Sequence, residues 1–177
     1  EETDIPWSYH GVMPDESGLV YIAEDSDGHY LMSLQFDGTT IGPVLPANGR
    51  EIEKVYSDNN RKILGIRYAG VEPGYAFLDA DLQKSFDLLS EAFQGATIYI
   101  DSWTDDRETV LYHIFDFSLG DVWITHHVPT NDVKLVAKRR PDIPIEAVAP
   151  MMSIQYQGQD DLTIQAILTI PPSFVPG

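Results

Sequence analysis

The sequence predicts an all-β fold, on three observations. Apolar and polar residues alternate in short runs, clusters of Asp, Asn, Gly and Pro separate those runs, and a pattern of paired runs returns after about 45 residues. The chain has 177 residues and a mass of 19.8 kDa, with 43% apolar and 22% charged residues. That is the composition of a folded domain with a real core, not of a disordered chain.

The elements follow in chain order. Trp7 to Met13 is a weak first strand, and Gly18 to Ala23 (Gly-Leu-Val-Tyr-Ile-Ala) is a clear one. After the turn Asp25-Ser26-Asp27-Gly28, His29 to Phe36 places Tyr30, Met32, Leu34 and Phe36 on one side. Asp37-Gly38 is a hairpin turn, because both residues accept positive φ cheaply. Ile41 to Leu45 is interrupted by Pro43, which has no N–H to donate and so belongs at an edge. Glu51 to Ser57 and Lys62 to Ala69 form the next pair around Asp58-Asn59-Asn60. Ala96 to Trp103, Glu108 to Phe117, Asp121 to Val128 and Val133 to Ala137 form a further set. Asp105-Asp106, Gly120 and Pro129-Thr130-Asn131-Asp132 stand between them.

One segment breaks the β pattern. Asp79 to Gln94 spaces Leu82, Phe86, Leu89 and Phe93 on one face of an α-helix, with Asp79 or Asp81 as N-cap and Gly95 at its end. A second helical turn is expected at Ile145 to Val148. Lys138 to Pro150, with Pro141, Pro144 and Pro150, reads as a linker. Met152 to Tyr156 and Leu162 to Ile170 then form a hairpin around Gln157 to Asp161.

Residues 7–50, 51–95 and 96–140 repeat as units of about 45 residues. Short strands at that period are the signature of β-propeller blades; a generic antiparallel sandwich is the competing architecture. The expectation is a partial propeller over residues 1–140, with about three four-stranded blades and one inserted helix. Linker and hairpin follow over 141–177. Propellers close with about four to eight blades, so three would leave open flanks and predict a homo-oligomer.

Eleven Lys and Arg against 28 Asp and Glu give a net charge of −17. Such a chain repels phosphate backbones and anionic lipid, so no nucleic-acid or membrane partner is expected. No apolar run is long enough for a transmembrane helix. With no cysteine, disulfides, thiolate metal sites and a Cys nucleophile are excluded together, while the compartment, cytoplasmic or periplasmic, stays undecided. The first residue is Glu1, which predicts an upstream segment.

Candidate sites are sparse. His126-His127 are adjacent, so a strand sends them to opposite faces and they do not converge on a metal; His113 is a conceivable cross-hairpin neighbour of His127. Asp25-Ser26-Asp27-Gly28 has the look of a calcium loop, but Ala23 and Leu34 stand where ligands are needed, so it reads as a turn. Asp101, Asp105, Asp106 and Asp116 are a possible carboxylate cluster, read as solvated hairpin turns. Trp7, Trp103 and Trp123 read as packing residues, with lining of a peptide channel as the functional alternative. Lys138-Arg139-Arg140 reads as a solvated linker, or as a cationic partner for an acidic surface. No catalytic, cofactor-binding or metal residue is assigned, and no cofactor.

One stretch resembles a known family. Arg140-Pro-Asp-Ile, Glu146-Ala-Val-Ala-Pro150, Ile154-Gln-Tyr, Gln159-Asp-Asp-Leu-Thr-Ile164 and Leu168-Thr-Ile-Pro171 are similar to the domain junction of the prolyl oligopeptidase family of serine peptidases. The likeness is greatest to its acylaminoacyl-peptidase and dipeptidyl-peptidase branches. In that family the phrase is usually Arg-Asp-Gly-Leu, then a strand ending Leu-Thr-Leu-Pro. Here Gln159 replaces the Arg and Asp161 replaces the Gly, and Asp tolerates a left-handed turn better than most residues. Val55-Tyr56-Ser57, Arg67-Tyr68, Phe77-Leu78-Asp79, Phe93-Gln94-Gly95 and Ser102-Trp103-Thr104-Asp105-Asp106 agree in order and spacing, so the likeness covers roughly residues 50–172.

The resemblance implies a propeller portion that gates peptide access to an α/β-hydrolase active site. The partners it implies are that missing hydrolase domain and, in the parent protein, a short peptide. The family's nucleophile elbow, Gly-x-Ser-x-Gly, does not occur in this sequence, so the chain is expected to be inactive alone. A stand-alone propeller-like protein-binding module is the alternative. A distinct enzyme using surface carboxylates ranks behind both.

Overall fold

The computed structural model describes residues 8–25, 28–46, 49–116, 120–149 and 151–171. The chain is mostly β, with one α-helix among the described residues. It divides into two compact units, Glu1–Phe86 and Asp87–Gly177.

The first unit contains two meandering antiparallel sheets. β1 (Ser8–Val12), β2 (Gly18–Asp25), β3 (Gly28–Gln35) and β4 (Thr40–Ile41) pair in chain order. β4 is only two residues long and lies at the edge, just before Pro43. β5 (Ile52–Ser57), β6 (Ile63–Tyr68) and β7 (Gly74–Phe77) form the second sheet. It has three strands where the repeat predicts four, and α1 (Ala80–Ala92) follows in place of a fourth. β7 was hidden by its composition: it is four residues long, begins on Gly74 and follows a Gly- and Pro-containing turn.

The two sheets share a core. Val20 and Leu31 of the first are buried with Ile52, Ile63, Ile66 and Tyr68 of the second, and Leu45 lies between them in sequence and joins the cluster. The Tyr68 hydroxyl donates to the Pro46 carbonyl, and the Arg50 guanidinium donates to the Ala69 and Glu72 carbonyls. These bonds satisfy backbone groups that the connecting segment would leave unpaired. Gly65 is required by close approach, since a Cβ there would run into Phe77 and the Ala76 carbonyl.

The helix begins where the spacing places it. Asp79 is the N-cap, its Oδ1 accepting from the amides of Leu82 (3.0 Å) and Asp81 (3.2 Å). Gly95, at φ +82°, lies in the turn that follows the helix. Leu82 and Leu89 are fully buried, and the Phe86 ring meets Tyr75 at 4.7 Å.

In the second unit, β8 (Thr97–Trp103), β9 (Thr109–Asp116), β10 (Gly120–His127) and β11 (Asp132–Lys138) pair in the order β11-β10-β9-β8. One face buries Ile98, Ile100, Val110, Tyr112, Ile114, Val122 and Ile124. A 3-10 turn at Ile145–Ala147 interrupts the linker, and among the described residues β12 (Met151–Gln157) pairs with β13 (Thr163–Thr169) alone.

A recurring turn joins successive strands. Glu16, Arg61, Arg107, Asn131 and Asp161 each adopt φ between +56° and +63° in a hairpin turn. In three of these turns an Asp side chain (Asp15, Asp58, Asp106) accepts a backbone amide two residues on. Asp161 therefore takes the left-handed conformation expected of it, and the β12–β13 hairpin closes with a Gly158 amide to Leu162 carbonyl bond of 2.8 Å.

Candidate functional site

The face of the β8–β11 sheet opposite its buried residues carries a row of rings. Cross-strand register places Tyr99 (β8), His113 (β9) and Trp123 (β10) side by side. The His113 and Trp123 rings stack nearly parallel, at 4.4 Å and 9°, and Tyr99 lies 6.2 Å from His113 on the other side. Such stacking is favourable beyond the area it buries.

Two carboxylates bracket the row. Asp101 sits at a β-bulge between Ile100 and Ser102, where the shifted register re-aims its side chain. Its Oδ2 accepts from Trp123 Nε1 at 2.8 Å. Asp121 bonds His113 Nε2 through Oδ1, and its Oδ2 accepts from Arg139 Nη1 at 3.2 Å. Both Asp121 oxygens are thus engaged, which offsets the cost of a carboxylate only 16% exposed.

Beyond Asp121 the sheet end and the linker enclose a cleft of about 430 Å³. Phe115, Gly120 and Asp121 form its sheet wall. Lys138, Arg139 and Arg140 rim it, and Ile143, Ala147, Val148 and Ala149 form the linker wall. The Arg139 amide donates to the Asp121 carbonyl of the sheet, and two turns close within the linker, from the Ile143 amide to the Arg140 carbonyl and from the Ala147 amide to the Pro144 carbonyl. All three residues of the Lys138-Arg139-Arg140 run are exposed, as a solvated linker requires, while Arg139 also pairs with Asp121 and the three line one cavity.

The other sequence candidates are held apart. His126 is buried and its Nε2 meets Asn131 Oδ1 at 2.9 Å; His127 Nδ1 meets Thr130 Oγ1 at 2.8 Å. Register sets His127 opposite Thr109 and His113 opposite Trp123, so the conceivable approach of His113 to His127 is not made. Asp106 is a turn residue. Hydrogen bonds from Thr104 and from the Glu108 amide hold its carboxyl below the usual range. Asp105 is exposed in the same turn, and the Asp116 side chain lies outside the described residues. Trp103 lies opposite Val110 in the β8–β9 ladder, and Trp7 is outside the described residues, as are Ser26 and Asp27 of the suspected calcium loop. Among the described residues no group of three or more His, Asp or Glu is disposed to hold a metal.

Sequence reasoning missed the ring row and the cleft. The signal for the row was available in the alternation of β8, β9 and β10, but which residues align depends on turn lengths and on the Asp101 bulge. No protein-family model matches the chain, and no curated protein matches it.

Proposed function

We propose that this chain is a non-catalytic β-propeller portion of a serine oligopeptidase, gating peptide access to a hydrolase active site carried by another domain. Two features support the reading of consecutive sheets as blades. Each sheet meanders in chain order, and hairpin turns across both units repeat one conformation with a left-handed residue. The first two sheets also share a core, as neighbouring blades do.

The observation that carries the reading is the β12–β13 hairpin. Its sequence is the part most similar to the family's domain junction, and Asp161 adopts positive φ where the family phrase has Gly. Its strands pair only with each other among the described residues, and Met152, Tyr156, Ile167 and Leu168 are exposed. A two-stranded ribbon with bare apolar side chains needs a cover, and the opening strands of a hydrolase domain would have one.

The test compares this chain with the chain joined to whatever its gene encodes beyond Gly177. Both are treated with a fluorophosphonate probe and with short chromogenic peptides. The longer product is expected to label at a serine and to hydrolyse the peptides, and the chain alone to do neither. A reading frame with no hydrolase domain, or peptide hydrolysis by the chain alone, overturns the proposal.

A further inference from the structure

We infer that the cleft between the β8–β11 sheet and the linker binds a small carboxylate with an apolar body. The inference is independent of the peptidase reading. It starts from charge. The chain carries −17, yet three of its eleven Lys and Arg rim one cavity. In an acidic field a cation cluster of this kind is where an anion gains most, because neighbouring surface repels it.

The pairing inside the cleft sharpens the point. Asp121 is the one carboxylate among the described lining residues, and Arg139 already neutralises it while His113 holds its other oxygen. Lys138 and Arg140 make no ion pair among the described residues. Both cations line the cleft, and one of them is a guanidinium whose fork matches a carboxylate.

The opposite wall asks for hydrocarbon. Ile143 is 43% exposed, and Val148 and Phe115 are partly exposed beside it. A bare inorganic anion would leave that wall wet; a neutral apolar molecule would leave the cations unused. The cleft volume lies within the range of small-molecule sites, and the Arg139 amide to Asp121 carbonyl bond ties the start of the linker to the sheet.

The experiment titrates the chain with hexanoate, 1-hexanol and inorganic phosphate, followed by amide chemical shifts. Hexanoate is expected to bind saturably with shifts concentrated at residues 120–121 and 138–149. Hexanol and phosphate should each bind at least about tenfold more weakly, since each lacks one half of the recognition. The double variant Lys138→Gln, Arg140→Gln should lose hexanoate binding by about tenfold or more while keeping the wild-type spectrum elsewhere. Ile143→Ser should weaken hexanoate and leave phosphate unchanged. The inference is overturned by any of three results: hexanoate does not saturate, phosphate matches it, or the double variant binds it as tightly as wild type does.

Discussion

β6 and β11 have similar apolar content and opposite fates. β6 (Ile-Leu-Gly-Ile-Arg-Tyr) buries Ile63, Leu64, Ile66 and Tyr68 to 5% exposure or less. β11 (Asp-Val-Lys-Leu-Val-Ala-Lys) leaves every residue exposed, with Leu135 and Val136 at 58%. The difference is position in the sheet. β6 is hydrogen-bonded on both edges and has partners on its faces, whereas among the described residues β11 pairs with β10 alone. A strand's composition states what it could bury; its neighbours decide what it does bury.

The sharpest measure of that contrast is a matched pair of truncations. Ile66→Ala empties space in a packed core and should cost about 2–5 kcal/mol in denaturant unfolding. Val136→Ala removes methyl groups that already face water and should cost no more than about 0.5 kcal/mol. Equal costs would mean that β11 is covered in solution.

A second copy of the chain is one such cover, and it offers a way to break the comparison. Val133, Leu135 and Val136 on β11, with Ile167 and Leu168 on β13, are apolar surface that water tolerates poorly. Light scattering is expected to give a mass above 19.8 kDa at micromolar concentration. Because each copy carries −17, salt should strengthen the association by screening repulsion. Leu135→Lys should weaken it several-fold. A monomer at every salt concentration would leave β11 exposed in solution, as it is within the chain.

Much of this fold was legible. Alternation located most of the strands, and the Leu82, Phe86, Leu89, Phe93 spacing located the helix, because periodicity is a local property of a segment that buries one face. β7 was not legible, since four residues beginning on glycine carry too little pattern. The cleft was legible only as a run of three cations. Its other wall lies up to 25 residues before Arg140 in the chain, at Phe115, and the β10–β11 pairing that brings Asp121 to Arg139 carries a register shift between Trp123 and Ile124. Non-local register of that kind is fixed by turn lengths and bulges, which the alternation does not encode.

Between the two extremes lie half-buried positions, and His10 on β1 offers a titrating probe of one. Burial disfavours its charged form and holds its pKa below 6.5, with Nε2 at 2.8 Å from Ser8 Oγ. Glu24, His29, Glu53 and Lys54 line the same cavity, where Glu24 lies 3.8 Å from His29 and Glu53 pairs with Arg67. The sign follows from linkage. The folded chain prefers the neutral imidazole, so on acidification the unfolded chain takes up this proton first. The contribution is therefore complete above about pH 6.5 and is lost as pH falls through the folded-state value. Proton NMR should give His10 a midpoint below that of the denatured chain, and His10→Gln should reduce the loss of stability between neutral pH and pH 5. A midpoint above the denatured value would mean that Glu24 and Glu53 outweigh burial, and that this part of the first unit is wetter than its exposed area implies.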